Sequence, residues 1–348
     1  MVKQDMVVKT NASNDPVAVV HYVYMANCWQ EVAAEQFARL KASGLYDAAA
    51  EYPVEACGPD AEVAKLHGML ESYPKAKLTH HKDNRFEYPG IARVKAVGDA
   101  AERCILYFHT KGTGNIYRDF STKEVSPRKL RGQQDWRRRM EYFLVDRWRE
   151  SVALLDGNDV VGAGVNSPAN GNFWWTTSRF VRTRQPVHSG WDRWRYENWL
   201  PGMGERPPVQ HSWYKKHCIL APGALSEYSD CPSWFYDGSR DLSKEKLVVV
   251  GATYGLAAVQ LNENGAKPLG NAQLADVTER VRAACNGRKI SIVVGNADLG
   301  GDPAPGKRKE MDVKLALASD PDTVYEMAFA EGVQCSLDLD AKLAPMRP

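Results

Sequence analysis

Long apolar runs are missing from this chain of 348 residues, in which no stretch approaches the roughly 18 apolar residues that a membrane-spanning helix needs. Residues 1–15, MVKQDMVVKTNASND, also lack the apolar core of a secretory signal and are predicted to be a short disordered lead. We therefore expect a soluble, cytoplasmic protein without a membrane span.

A strong surplus of basic residues is also absent, because the formal net charge is +2. Proteins that bind a nucleic acid duplex usually carry a large positive surplus, so nucleic acid is excluded as the main partner. The seven cysteines include no CxxC pair. Neither a zinc site nor a disulfide framework is indicated, and we expect reduced, mostly buried thiols.

Four short apolar runs alternate with helical patterns in the first part of the chain. They are predicted to be the strands Val17–Tyr24, Tyr52–Cys57, Lys77–His80 and Cys104–Phe108. Strands that alternate with helices imply parallel strands joined by right-handed crossovers. The predicted fold class is α/β, with a three-layer α/β/α sandwich over residues 16–238. Ligands are then expected beyond the C-terminal ends of the strands.

Two helices carry local signals of their own. Asn27 is placed to cap the first helix, with Gln30 in the capping-box position. A long helix is predicted over Gln133–Asp156, where apolar residues recur at helical spacing. A basic stretch that starts at Arg128 is interpreted either as a solvated helix face or as the source of one or two phosphate-binding arginines.

The composition changes from Leu247 onward. Short alternating strands are separated by Gly, Asp and Pro turns, which predicts an all-β sandwich over residues 245–345 and a boundary near residues 237–245. The motif Gly300–Gly306 (GGDPAPG) is predicted to be a rigid turn, because its prolines remove the N–H donors that an anion would use. We expect this module to be a binding or assembly module that offers a surface to a protein partner.

The sharpest motif directly follows the fourth predicted strand and consists of His109, Thr110, Lys111 and Gly112. A glycine-containing loop with a cationic lysine and a histidine can hold a diphosphate. Nucleotide-sugar transfer needs such a site, since the negative charge that grows on the departing nucleotide must be neutralised. The competing interpretation is a structural turn without a ligand.

A cluster of polar and aromatic residues is a candidate acceptor site. Asn166 and Asn172 suit a close backbone approach, and Trp174 with Trp175 could form an apolar platform for a sugar ring. The alternative is a β-hairpin whose aromatic side chains alternate between core and cover.

Carboxylates and histidines provide two further candidates. Glu197 is the first candidate, and Asp192 the second, for the base that accepts a proton from an acceptor hydroxyl; an exposed, salt-bridged glutamate is the alternative. His80, His81 and Asp83 follow the third strand and could form a metal site with His21, but their spacing matches no strong signature.

An ordered series of segments resembles a family of glycosyltransferase-like proteins with the GT-A fold, found in bacteria and in large DNA viruses of algae. The matching segments extend over about residues 17–200 and are VVHYVYMANCW, EQFARLKASGLYDAA, HHKDNRFEYPG, ILYFHTKGTG, WRRRMEYFLVDRW, DVVGAGVN, GNFWW and YENWL. The resemblance implies a nucleotide-sugar donor and a glycan or another hydroxyl acceptor. The C-terminal part contains Asp276-Val277-Thr278 and then ISIVVGNADLGGDPAPGKRKEMDV. These segments resemble an uncharacterised β-rich domain that also ends a mitochondrial J-domain protein.

The resemblance also implies roles for individual residues. His109–Gly112 occupies the place where most GT-A enzymes carry an Asp-x-Asp metal motif, and no carboxylate stands there. Divalent-metal dependence is therefore in doubt, and no metal ligands are assigned. Glu87, Tyr88 and Pro89 would lie at the donor pocket, and Glu197 would lie near the base position of inverting members. His21 is also assigned to the donor site.

Three functions follow from these patterns. The first is an active nucleotide-sugar glycosyltransferase, and the second is an inactive GT-A-like scaffold or glycan-binding subunit of a larger assembly. The third, a nicotinamide-dependent enzyme, is weaker because no GxGxxG follows the first strand.

Overall fold

The computed structural model describes residues 12–113, 127–163, 171–191, 193–201, 217–219, 240–256, 259–262, 265–268, 273–307, 309–332 and 334–339. These residues fall into two compact units. The described part of the first unit is residues 12–113, 140–163, 171–191, 193–201 and 217–219. The second unit contains residues 127–139 and the described residues between 240 and 339.

Strands and helices alternate along the first unit. The strands are β1 Val17–Tyr24, β2 Tyr52–Cys57, β3 Ala76–His81, β4 Cys104–His109, β5 Val160–Gly162, β6 Trp174–Thr177 and β7 His217–Ile219. The helices up to this point in the chain are α1 Trp29–Ala42, α2 Leu45–Ala48, α3 Asp60–Leu70, α4 Tyr88–Ala100, α5 Pro127–Glu141, α6 Trp148–Leu154, α7 Ser178–Arg182 and α8 Arg193–Glu197. None of the helices in the described residues is long and apolar enough to cross a membrane.

The seven strands form one mixed sheet in the order β3-β2-β1-β4-β6-β5-β7. Strands β3, β2, β1 and β4 are parallel neighbours, whereas β6 runs antiparallel to both β4 and β5. The α/β class predicted from the sequence is confirmed. Because the four parallel strands share one direction, the segments that follow them meet at the same edge of the sheet.

Helices cover both faces of the central strands. On one face of β1, Val20 and Tyr22 belong to a buried cluster with Ile91 of α4. On the other face, the ring of His21 lies 5.3 Å from the ring of Phe37 in α1. Burial of each large apolar side chain contributes about 1.5–3 kcal/mol, so this two-sided packing fixes the position of the sheet edge.

Two local predictions for the helices are wrong. Helix α1 begins at Trp29 after Cys28, and Asn27 is not its cap: it has a left-handed backbone (φ 54°) and its side-chain amide donates to the carbonyl of Thr113. The long helix predicted over Gln133–Asp156 is interrupted by a π-helical turn at Tyr142–Asp146.

Tertiary hydrogen bonds explain the interruption. The indole of Trp175 donates to the Leu144 carbonyl at 2.8 Å, and the hydroxyl of Ser151 donates to the Phe143 carbonyl at 2.9 Å. These carbonyls lie inside the π-helical turn, where such contacts commonly accompany a break in the regular ladder.

The predicted disordered lead is partly ordered. Residues Ala12–Asn14 form a turn of 3₁₀-helix, and the backbone N–H and hydroxyl of Ser13 both donate to the Asp156 carboxylate at 2.8 Å. Residues 1–11 lie outside the described residues.

The second unit consists mainly of strands. A four-stranded antiparallel sheet has the order β11-β8-β13-β14, and β12-β15 and β10-β9 form separate pairs. Its elements are β8 Leu247–Gly255, β9 Val259–Asn262, β10 Gly265–Pro268, β11 Leu274–Asp276, α9 Thr278–Ala283, β12 Lys289–Val293, α10 Asn296–Leu299, β13 Glu310–Leu317, β14 Asp320–Ala330 and β15 Gln334–Asp338. The prediction of an all-β module missed the short helices α9 and α10.

A buried polar cluster follows the Gly300–Gly306 motif. The Lys309 ammonium, although buried, lies 3.0 Å from the Asp302 carboxylate and 3.2 Å from the Glu331 carboxylate. The hydroxyl of Tyr254 donates to Glu331 at 2.9 Å. These partners compensate the buried charge, so the motif has a structural role in this unit.

Candidate functional site

Glu87 lies at the N-terminal end of α4, beside the end of β4. Gly90 allows the helix to approach the sheet closely, since a Cβ at this position would lie 2.7 Å from the Tyr107 ring and 2.9 Å from the Cβ of Tyr22. Pro89 occupies the first helical turn, where no N–H partner is required. The close approach leaves Glu87 only 8% exposed at the edge where ligands of parallel sheets collect.

Asn172 holds the Glu87 carboxylate from the opposite side. Its side-chain Nδ2 donates to Glu87 Oε2 at 2.7 Å, and its Oδ1 accepts from Nε1 of Trp174 at 2.8 Å. Asn172 has a left-handed backbone (φ 57°), a conformation that asparagine tolerates better than most residues. The indole, the amide and the carboxylate therefore form one fixed chain of hydrogen bonds.

His109 is the second buried titratable group at this edge. Its Nε2 lies 3.2 Å from the carbonyl of Gly171 and 3.7 Å from Glu87 Oε1. A carbonyl can only accept a hydrogen bond, so Nε2 carries the proton and donates to Gly171. Burial, and then the nearby charge of Lys111, lower the pKa of His109 well below its usual range, which leaves the imidazole neutral.

The environment of Glu87 changes its pKa in the opposite direction. Burial, and then the negative charge of Glu197, raise the pKa of Glu87 to about 7. The positive charges of Lys111 and Arg193 and the hydrogen bond from Asn172 lower it in part. A carboxyl that exchanges its proton near neutral pH is suited to acid–base chemistry or to a change of charge on ligand binding.

His109 is the last residue of β4, and residues 110–113 form a tightly bonded turn after it. The N–H of Thr110 donates to the Tyr22 carbonyl at 3.1 Å, and its hydroxyl accepts from the N–H of Tyr24 at 2.8 Å. Gly112 has a left-handed backbone (φ 88°), which favours glycine. These hydrogen bonds of Thr110 hold the turn against the end of β1, so its predicted contact with a donor is not supported.

Lys111 carries the positive charge of this turn. It is half-buried, and its charge acts on both Glu87 and His109. The structure therefore brings three of the predicted donor-binding residues together: a carboxyl, a neutral imidazole and an ammonium group.

Helix α8 contributes the second carboxylate. Glu197 accepts a hydrogen bond from Nε of Arg193 at 2.5 Å, and its side chain is 30% exposed. This is the salt-bridged state considered from the sequence, yet Glu197 is also close enough to act electrostatically on Glu87. The ring of Tyr196 lies 5.9 Å from that of Tyr88, which packs α8 against the start of α4.

Two buried hydroxyl groups lie behind Glu87. Burial and the charge of Glu87 raise the pKa of Tyr107 well above its usual range, and its hydroxyl has no hydrogen-bond partner within the described residues. Burial raises the pKa of Tyr22 as well, and its hydroxyl lies beside the Cys57 thiol. The sequence predicts Tyr107 only as part of an apolar strand, because nothing in the string CILYF marks its hydroxyl as lying near a carboxylate.

His21, predicted to bind a donor, lies in the interior. Its Nδ1 is 3.0 Å from the hydroxyl of Tyr52, and its Nε2 is 2.9 Å from Oε1 of Gln36. Burial lowers the pKa of His21 to about 3, so the imidazole is neutral. Both ring nitrogens are occupied and the side chain is fully buried, so its assignment to a donor site is not supported.

The predicted tryptophan platform is also internal. Trp174 and Trp175 are fully buried, and their indole N–H groups are used by Asn172 and by the Leu144 carbonyl. The alternative prediction, in which aromatic side chains pack in the core or cover it, therefore describes both tryptophans better. Asn166 and Asp192 lie outside the described residues.

His80 and His81 are the last two residues of β3 and have separate partners. His80 Nε2 lies 2.8 Å from the Gly58 carbonyl, whereas His81 Nε2 lies 2.8 Å from the Glu55 carboxylate. Within the described part of the chain, no three or more His, Cys, Asp or Glu side chains are arranged to hold a metal ion. The alternative metal site of His21, His80, His81 and Asp83 is not supported.

No family model, no curated protein and no solved structure matches this chain. Function is therefore inferred from the residues at the end of β4 and at the start of α4.

Proposed function

We propose that the first unit is a GT-A-like glycosyltransferase that transfers a sugar from a nucleotide sugar to a hydroxyl acceptor. The observation that carries this proposal is the grouping of Lys111, His109 and Glu87 where parallel strands end. A loop of this kind suits a diphosphate, because its ammonium group can neutralise the charge that develops on the leaving nucleotide.

The residues have distinct roles in the proposed reaction. Lys111 binds the diphosphate, and Glu197 accepts the proton of the acceptor hydroxyl. The bond between the sugar carbon and the diphosphate oxygen breaks, and its electron pair stays on the diphosphate. The acceptor oxygen then forms the new bond to the sugar carbon. Lys111 supplies the positive charge that a metal ion gives in most GT-A enzymes.

A test of this function compares Glu197→Gln with Glu150→Gln, using hydrolysis or transfer with a panel of nucleotide sugars. Loss of a general base typically costs about 10²- to 10⁴-fold in rate, with donor binding retained. Glu150 is a matched control because it forms an ion pair with Arg147 on the separate helix α6. Equal rates for both variants and the unmodified chain would exclude Glu197 as the base.

The second candidate function is a non-catalytic scaffold or glycan-binding subunit. Burial of Trp174 and Trp175 favours it, since neither ring is available to an acceptor sugar. The strand-rich second unit would then provide the attachment to a protein partner. Stoichiometric co-purification with other subunits, together with absence of donor binding, would support this function over the enzymatic one.

A further inference from the structure

The buried carboxyl of Glu87 creates a conflict of charge at the proposed donor site. It lies 3.7 Å from the ring of His109 and within electrostatic reach of Lys111, the residue proposed to bind the diphosphate. An anion bound by Lys111 therefore comes close to a carboxylate that is largely shielded from water. Like charges in such a place are strongly unfavourable, so one of them must be neutralised.

We propose that Glu87 binds a proton when a nucleotide diphosphate occupies the site, and that it serves there as a neutral hydrogen-bond donor to the donor substrate. This inference rests on the proposed function and adds the protonation state of the site. The proton comes from solvent, binds one carboxylate oxygen of Glu87, and returns to solvent when the nucleotide leaves.

The hydrogen bonds around Glu87 leave room for this proton. Asn172 Nδ2 donates to Oε2, so the other oxygen, Oε1, can carry the hydrogen. The amide also has its Oδ1 committed to Trp174, which prevents it from turning to accept from Glu87. Oε1 faces His109, whose Nε2 donates to the Gly171 carbonyl.

Several charged and titratable groups surround Glu87, and their protonation states point to Glu87 as the group that changes charge. Glu197 and Arg193 act from α8, Lys111 and His109 from the end of β4 and its turn, and the hydroxyls of Tyr107 and Tyr22 from the sheet. Burial holds His109 neutral and both tyrosines protonated. The pKa of Glu87 is raised to about 7, so a nearby anion can shift its protonation in the neutral range.

The experiment measures the affinity of the full chain for UDP-glucose and GDP-mannose between pH 6 and pH 8.5 by calorimetry. The diphosphate of a nucleotide sugar is a diester that does not titrate in this range. For the unmodified protein we expect the affinity to fall about tenfold per pH unit above the pKa of Glu87, the limit for uptake of one proton. Glu87→Gln, which resembles the protonated carboxyl, is expected to keep the low-pH affinity and to vary less than about twofold.

Three outcomes overturn the inference or its basis. An unchanged pH dependence in Glu87→Gln would assign the proton to another group, such as His109. Weaker binding by Glu87→Gln at every pH would mean that the carboxylate form contacts the donor. Absence of binding to these two donors and to every other member of the nucleotide-sugar panel, at any pH and with the fold intact, would reject the proposed function itself.

A matched control removes a carboxyl from the opposite edge of the sheet. Glu51 precedes β2 and forms an ion pair with Arg103 at 3.0 Å. Glu51→Gln is expected to keep the affinity and pH dependence of the unmodified chain. The proton itself is counted by repeating the titration in two buffers with different ionisation enthalpies, where Glu87→Gln should take up no proton.

Discussion

Nδ2 of Asn172 donates a 2.7 Å hydrogen bond to Oε2 of Glu87, which joins the segment before β6 to the start of α4. The same asparagine accepts from Trp174 and has a left-handed backbone. One residue therefore satisfies a buried indole and a buried carboxyl at the proposed donor site.

Replacement of this asparagine tests the network. Asn172→Ala removes both hydrogen bonds and places alanine in a left-handed conformation, so we expect a loss of about 1–3 kcal/mol in the free energy of unfolding, measured with urea. Asn172→Asp preserves the shape and tolerates the backbone, but its carboxylate would repel Glu87 and raise the pKa of that group. Full stability of Asn172→Ala would show that the network contributes nothing to the fold.

The raised pKa of Glu87 predicts a specific dependence of stability on pH. The folded value of about 7 exceeds the ordinary value of 4.5, so the folded state holds the proton more tightly. The resulting stabilisation is fully present below pH 4.5 and is lost as the pH rises towards 7. Its total size is roughly 3 kcal/mol.

Glu87→Gln isolates this contribution. The difference in free energy of unfolding between the unmodified chain and the variant should change by roughly 3 kcal/mol between pH 4.5 and pH 7.5, in the direction of a less stable unmodified chain at high pH. Glu51→Gln serves as the control, because its effect on the free energy of unfolding should not change with pH in this way. A constant difference across the range would contradict the raised pKa.

Gly90 provides a steric prediction with an internal control. Gly90→Ala places a Cβ 2.7 Å from the Tyr107 ring, so we expect about 1–3 kcal/mol of destabilisation from overpacking. Gly68→Ala lies in α3, where a Cβ would meet nothing within 4 Å, and it should stabilise the chain by up to about 1 kcal/mol. Thermal unfolding of the two variants would show shifts of opposite sign. Shifts of the same sign would mean that α4 does not lie this close to β4.

The second unit offers a test of the cluster around Lys309. Tyr254→Phe removes a hydroxyl that contacts both Asn296 at 2.8 Å and Glu331 at 2.9 Å. We expect about 1 kcal/mol of destabilisation in urea unfolding, because the ring stays in place and only the hydrogen bonds are lost. A neutral effect of Tyr254→Phe would assign the cluster no role in stability.

Elements with strong local patterns were predictable from the sequence. Val17–Tyr24 and Tyr52–Cys57 have the predicted bounds, because β-branched and aromatic residues of strand length leave few alternatives. The break in the helix at Tyr142–Asp146 was not predictable. It accompanies a hydrogen bond from the indole of Trp175, which lies in β6. Helical periodicity alone contains no information about such a contact.

The sequence predicted some features of the candidate site and missed others. Their position after the predicted strand Cys104–Phe108 placed His109 and Lys111 at the edge of the sheet where the parallel strands end, and the structure has them there, with His109 as the last residue of β4. His21 lies in the interior, whereas Glu87 lies at the proposed site. Both placements depend on burial and on partners that are distant in the sequence, Gln36 for His21 and Asn172 for Glu87. Trp174 and Trp175 look like ligand contacts in the sequence, but their indole groups have partners in the interior.

The most direct test of the account is calorimetric titration of a nucleotide-sugar panel into the full chain and into Lys111→Met. We predict saturable binding to at least one donor and a loss of about 10- to 100-fold in affinity in Lys111→Met, with Lys65→Met on α3 unchanged. Absence of binding to every donor by a folded protein, or equal affinity in Lys111→Met, would contradict the claim that this edge of the sheet holds a departing nucleotide.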